Sequence, residues 1–332
     1  MKIAKHQFHP ELRSLAGPLK LYNFFLSRKW GFRLLYRMFN RMKGKKIPGL
    51  NNEEAYIKSS HGGPDIRVRI YQPLNAKGPL PVLLYLHGGG YAIGCPEQYG
   101  TFPAQIIQQR PCIIVAPDYR KSLQAPFPAG FNDCYDTLLW IDQNRDFLQA
   151  SQQPIMVAGH SAGGGLTAAI TLKARDTQDV QIAFQMPIYP MIDDVQQHES
   201  SRFLSPVWDA NSNRIGWELY LAGLKALKAD VPAYAAPARN QDYRNFPPTI
   251  TFVGDLEPFR DETVAYAEVL KQHNIPVRFQ RFEGCFHGFD LVAIKSKVAK
   301  EAAAFVNDSY AEFYDRYLRE ATPTQEGQSK RT

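Results

Sequence analysis

A serine held between two glycines is the residue of this chain best placed to do chemistry: Gly159-His160-Ser161-Ala162-Gly163. The apolar run Ile155-Met156-Val157-Ala158 before it reads as a short buried strand, and Leu166 to Ala174 after it has helical composition. Strand, Gly-x-Ser-x-Gly, helix is the setting of a nucleophile elbow, a turn so sharp that a side chain at either flanking position clashes. The chemistry implied is nucleophilic attack by Ser161, which needs a base and a carboxylate to orient that base. His287, in Gly284-Cys285-Phe286-His287-Gly288, follows the last apolar strand in the chain and is the expected base. For the acid, Asp261 and Glu262 are expected to open a helix, where acids complement the helix dipole. Asp255 and Glu257 remain as candidates, and either gives the chain order serine, acid, histidine that suits such a site.

Attack on an ester carbonyl builds charge on oxygen, and backbone N–H groups must meet it. The run His87-Gly88-Gly89-Gly90-Tyr91 offers bare backbone directly after an apolar strand. Gly88 and Gly89, with the N–H of Ala162 beyond the nucleophile, are the expected oxyanion donors. Tyr91 and His160 are the substrate-binding candidates. His160 is also expected to order the elbow by a hydrogen bond, since residues flanking the nucleophile point away from it. A phosphate loop is a poorer reading of the glycines, because no Lys-Ser/Thr follows Gly90.

These residues need strands to carry them. Continuous apolar runs at Pro81–Leu86, Cys112–Ala116 and Ile155–Ala158 read as buried strands, Asp65–Tyr71 alternates as a half-exposed strand, and Ile182–Met186, Thr249–Gly254 and Val277–Phe282 read as further strands. Helical stretches lie between them, and a long C-terminal helix is expected from Leu291 to Leu318. Such alternation means an α/β fold with a mostly parallel central sheet and helices on both faces. Ligands of such sheets bind beyond the carboxyl ends of the strands. Pro18–Met42 reads as one helix with apolar residues on more than one face, either a lid or an interfacial helix, with the lid favoured. Residues 187–248 interrupt the alternation and read as an insertion over the sheet's carboxyl edge.

The totals narrow the class. The chain has 332 residues, 44% of them hydrophobic and 21% charged, ordinary for a globular protein. The net charge of +7 is uneven: the first 46 residues hold twelve Lys/Arg and one acid, leaving −4 for the remainder. No nucleic-acid module accompanies that basic segment, so no nucleic-acid partner is expected. A membrane surface is a lesser possibility. Cys95, Cys112, Cys134 and Cys285 form no CxxC pair and no metal spacing, and the serine chemistry expected here needs no metal or cofactor. The amino terminus shows no secretory pattern, and a cytoplasmic location is the expectation.

The motifs taken together resemble the hormone-sensitive-lipase-like family of α/β-hydrolases, the bacterial carboxylesterase and acetyl esterase type. The matching stretches include His87-Gly88-Gly89-Gly90, Asp118-Tyr119-Arg120, the Ser161 elbow, Glu257-Pro258-Phe259-Arg260-Asp261-Glu262 and His287-Gly288-Phe289. The resemblance implies a serine carboxylesterase for short-to-medium acyl esters, with Ser161, Glu257 and His287 as catalytic residues. It implies a hydrolase core over 51–190 and 245–320, a cap built from 1–50 and 191–244, and a possible homodimer; 321–332 reads as a disordered tail. The family usually has aspartate where this chain has His160 and where it has Glu257. The register of that motif favours Glu257 over Asp255. The alternatives are a non-catalytic ligand-binding receptor on the same fold, or a lipid esterase working at a membrane surface.

Overall fold

The computed structural model describes residues 1–318. The 321–332 tail lies outside the described residues. Eight strands form one sheet: β1 (Leu50–Ile57), β2 (Ile66–Pro73), β3 (Val82–Leu86), β4 (Ile113–Pro117), β5 (Ile155–His160), β6 (Ile182–Ile188), β7 (Thr249–Gly254) and β8 (Val277–Phe282). Their spatial order is β1-β2-β4-β3-β5-β6-β7-β8. β1 and β2 are antiparallel to each other, β2 is antiparallel to β4, and the rest run parallel.

Alternation along the central strands feeds two cores. Val82, Leu84 and Leu86 of β3 face one cluster, while Leu83 and Tyr85 face the other. Each such fully buried side chain contributes about 1.5–3 kcal/mol. The first face is covered by α4 (Ala129–Gln143) and α6 (Ala162–Thr177), with the four-residue α5 (Arg145–Leu148) after α4. The second is covered by α3 (Thr101–Gln109) and α11 (Lys297–Tyr317). Helix α9 (Arg260–Gln272) packs beside β7 and β8.

Three expectations change. The Pro18–Met42 stretch is two helices, α1 (Arg13–Leu26) and α2 (Lys29–Asn40). Arg28 is extended at the break, and α2 returns so tightly that a Cβ on Gly31 would lie 1.9 Å from the Phe25 carbonyl oxygen. The C-terminal helix is likewise two pieces, α10 (Phe289–Val292) and α11, because Ser296 stops between them and accepts the Ala299 N–H at 3.2 Å as an N-cap. The edge strand β1 adds to the expected strands. Its sequence, Leu-Asn-Asn-Glu-Glu-Ala-Tyr-Ile, is too polar to read as a strand, but one side of an edge strand faces water.

Over the carboxyl ends of the parallel strands, α1 and α2 meet the stretch that carries α7 (Ala210–Tyr220) and α8 (Ala222–Ala226). The Asn23 side chain donates to the Ser205 carbonyl at 2.6 Å, and Phe32 packs edge-on to Trp208 at 6.0 Å. Among the described residues, no helix is long and apolar enough to cross a membrane.

Candidate active site

Four parallel strands deliver the chemistry to one edge: β3 ends before His87, β5 before Ser161, β7 before Glu257 and β8 before His287. Ser161 sits at φ 59° and ψ −121°, a strained conformation for a residue with a side chain. Its N–H donates to Ile188 O at 2.9 Å, and its carbonyl accepts from Gly165 N at 2.9 Å and Met191 N at 3.1 Å. The flanking glycines are required by crowding. A Cβ on Gly163 would lie 2.0 Å from Leu86 O, and one on Gly159 would lie 2.3 Å from Gly163 O.

The Ser161 hydroxyl lies 3.0 Å from His287 Nε2. Nδ1 of the same ring lies 2.5 Å from Glu257 Oε2. Glu257 is fully buried, and its other oxygen accepts the Gly254 N–H at 2.8 Å. A carboxylate only accepts, so the Nδ1 proton faces Glu257 and the Nε2 lone pair faces Ser161. Tyr189 and Phe259 stand edge-on to the imidazole, with centroids at 4.8 and 5.0 Å, and fix its plane. Asp255 is directed elsewhere: its carboxylate pairs with Arg281 at 2.6 Å.

Ser161 and His287 open on a cavity of about 280 Å³. Its wall contains Gly89 and Gly90, with Trp208 from the insertion and Pro18, Leu19, Tyr22 and Leu26 from α1. Gly88 is absent from that wall but adjoins the nucleophile, since a Cβ on it would lie 3.2 Å from the Ser161 Cβ. The N–H groups of Gly89, Gly90 and Ala162 have no acceptor among the described residues. Gly90 has φ +55°, and a Cβ there would lie 2.1 Å from the Trp208 ring. The run is anchored from behind. His87 stacks on Tyr119 at 4.2 Å, and the Tyr119 hydroxyl donates to His87 O at 2.7 Å. Burial holds the His87 imidazole well below its usual pKa, so it stays neutral and donates from Nδ1 to Gly88 O at 2.8 Å.

A family model described as alpha/beta hydrolase fold matches residues 83–291. Carboxylesterase NlhH of Mycobacterium tuberculosis is 30% identical over 259 residues, covering 77% of this chain and 81% of its own. The chain belongs to the hormone-sensitive-lipase-like α/β-hydrolases. It is a carboxylic ester hydrolase. A bacterial heroin esterase structure superposes with a TM-score of 0.81 at 31% identity, covering 95% of this chain and 99% of that one. The ethyl acetate hydrolase of Pseudomonas putida is 27% identical over 240 residues, covering 70% of this chain and 73% of its own.

Two expected substrate contacts of this hydrolase lie elsewhere. Tyr91 is buried against Tyr220, ring centroids 3.9 Å apart, and its hydroxyl donates to Met191 O at 2.6 Å. It therefore braces the loop that holds the Ser161 carbonyl instead of lining the cavity. His160 points to the opposite side of the sheet end, as the strand's alternation dictates. Its Nδ1 lies 3.0 Å from the Tyr85 hydroxyl, and its ring packs on Phe102 at 4.8 Å. Burial, with the nearby His287, pushes its pKa down to about 3, so it is neutral.

Two carboxyls, the buried Glu262 and the half-buried Asp290, support the site, and their roles were not visible in the sequence. Glu262 accepts from Ile192 N at 2.8 Å and Asp193 N at 3.4 Å, latching the same loop as Tyr91. The motif register marked its position; only the fold shows its partner. Asp290 accepts the Tyr189 hydroxyl at 3.1 Å, behind the ring that fixes His287.

Burial, with the Glu257 charge adding to it, pushes the Asp290 carboxyl up to about 7, against the Tyr189 hydrogen bond and His287. The unfolded value is about 3.9. Between those two values the folded state holds a proton that the unfolded chain releases, so stability falls as pH rises through that window. Asp290→Asn keeps an acceptor for Tyr189 and removes the titration. Thermal melts of both proteins from about pH 4 to about pH 8 should show the variant gaining on the wild type as pH rises. A difference independent of pH would count against this account.

Proposed function

We propose that the protein is a serine carboxylesterase working through an acyl-enzyme on short-to-medium acyl esters. Ser161 Oγ attacks the ester carbonyl as His287 Nε2 takes its proton, and Glu257 holds the tautomer and stabilises the imidazolium. The amides of Gly89, Gly90 and Ala162 receive the oxyanion; loss of one such donor costs roughly 3 kcal/mol of barrier. His287 then passes the proton to the leaving alcohol, and water repeats the sequence on the acyl group. The observation that carries this reading is the continuous Ser161–His287–Glu257 contact opening on a cavity beside free amides. The same contact argues against a non-catalytic receptor, which has no use for an aligned base.

The substrate range rests on size. A cavity of about 280 Å³ stands at the low end for ligand pockets, which span roughly 300–1,000 Å³. The relative named for ethyl acetate hydrolysis supports a small ester. In a p-nitrophenyl ester series, kcat/KM for the acetate or butyrate should exceed that for the dodecanoate by at least about tenfold. A fluorophosphonate should label the protein once, on the peptide carrying Ser161. Labelling at another residue, with turnover lost, would sink the acyl-enzyme assignment.

A further inference from the structure

The two N-terminal helices present opposite faces to opposite surroundings. Inward, Pro18, Leu19, Tyr22 and Leu26 line the cavity, and Phe32 and Leu35 are buried. Outward, Leu21 is 68% exposed, Phe24 47%, Trp30 49%, Leu34 41% and Met38 51%. Leu21 and Phe24 are three apart on α1, and Trp30, Leu34 and Met38 are four apart on α2, so each set forms a row. The Phe24 and Trp30 rings meet edge to face at 6.1 Å and join the two rows into one surface. Helices of a water-facing cap have no reason to display such a patch.

The charges around the patch have one sign. Lys20, Arg28, Lys29, Arg33, Arg37 and Arg41 are all exposed, and no acid occurs between Glu11 and Glu53. Lys29 meets Glu218 at 3.6 Å, and the Arg28 guanidinium lies over the Phe24 ring at 4.0 Å. Among the described residues, Lys20, Arg33, Arg37 and Arg41 pair with no carboxylate. Exposed aromatic and aliphatic rows flanked by unpaired cations match the chemistry of an anionic lipid surface, where apolar groups enter the headgroup boundary and cations meet phosphates.

We propose that the outer face of α1 and α2 docks on an anionic lipid bilayer. The surface is distinct from the catalytic residues, so binding is read without turnover. Since the inner face of α1 lines the cavity, docking places the cavity's α1 wall next to the lipid.

The test is co-sedimentation of the full chain with vesicles of phosphatidylglycerol and phosphatidylcholine in equal parts, and with phosphatidylcholine alone. The wild type should sediment with the mixed vesicles at low salt, leave them at high salt, and ignore the zwitterionic ones. Arg33→Glu/Arg37→Glu should weaken the partition by roughly two orders of magnitude, and Trp30→Ser/Met38→Ser should also weaken it. Both variants should keep wild-type p-nitrophenyl acetate turnover in vesicle-free buffer, which shows that they fold. Wild-type protein left in the supernatant would overturn the proposal, as would charge reversal that leaves binding intact. A dimer in sedimentation velocity that Trp30→Ser converts to monomer would assign the face to a second copy instead.

Discussion

Ser161→Ala should lower kcat for p-nitrophenyl acetate by roughly 10⁵- to 10⁶-fold, close to the loss seen when the nucleophile is removed from other serine hydrolases. The hydroxyl has one partner, His287 Nε2 at 3.0 Å, so its removal disturbs no structural hydrogen bond. Alanine keeps the Cβ that already tolerates φ 59° at this position. The elbow backbone, held by Ile188, Gly165 and Met191, is therefore expected to stand, and thermal stability should be unchanged or slightly higher. Residual turnover would come from the cavity and its amides acting on water. Kinetics on the purified variant, with its melting curve alongside, check both halves. Turnover near the wild-type value would remove Ser161 from the mechanism.

Why the turn at Ser161 was legible and the contacts of its neighbours less so follows from how each is held. The elbow depends on glycines and two flanking elements that are adjacent in sequence, and the apolar runs of β3 to β7 mark strands buried on both faces. The cavity wall depends on a long-range contact. Trp208 arrives from the insertion to pack on Gly90, and nothing near His87 announces that it will, so the choice between Gly88 and Gly90 was not open to sequence reasoning. Tyr91 and His160 adjoin Gly90 and Ser161 in the chain yet face away from the cavity, because a turn and a strand alternate side-chain direction.

The same distinction runs through the fold. β1 is a strand because it pairs with β2, where Glu54 meets Arg67 at 2.8 Å and Arg69 at 3.2 Å. Its own residues carry no apolar alternation. The break between α1 and α2 has neither proline nor glycine at Ser27-Arg28; the return is set by Gly31 closing on Phe25. Glu262 reads as a helix-start acid in sequence and Asp290 stands in no motif; their roles depend on Ile192 and Tyr189, many residues away.

Glu257→Gln should cost roughly 10³- to 10⁴-fold in kcat, while Asp255→Asn should leave it near the wild-type value. The introduced amide has one oxygen, and the Gly254 N–H, now 2.8 Å from the Glu257 Oε1 atom, claims it. The amide nitrogen then faces Nδ1, which must accept. That forces the ring proton onto Nε2, where it points at Ser161 and blocks proton transfer. The imidazolium formed during attack also loses its counter-charge, at a position fully shielded from water. Glu257→Asp, the residue usual in the family, keeps the charge but falls one methylene short of Nδ1, so it should retain more activity than the amide. Asp255 offers a contrast two residues away. Its partner Arg281 has a side chain 57% exposed, so the pair is worth at most about 1 kcal/mol of stability and touches no reacting atom. Measured kcat/KM for the three variants, with circular dichroism to confirm the fold, separates the carboxylates. A large loss confined to Asp255→Asn would reverse the assignment and leave the 2.5 Å contact between Glu257 and His287 without a catalytic role.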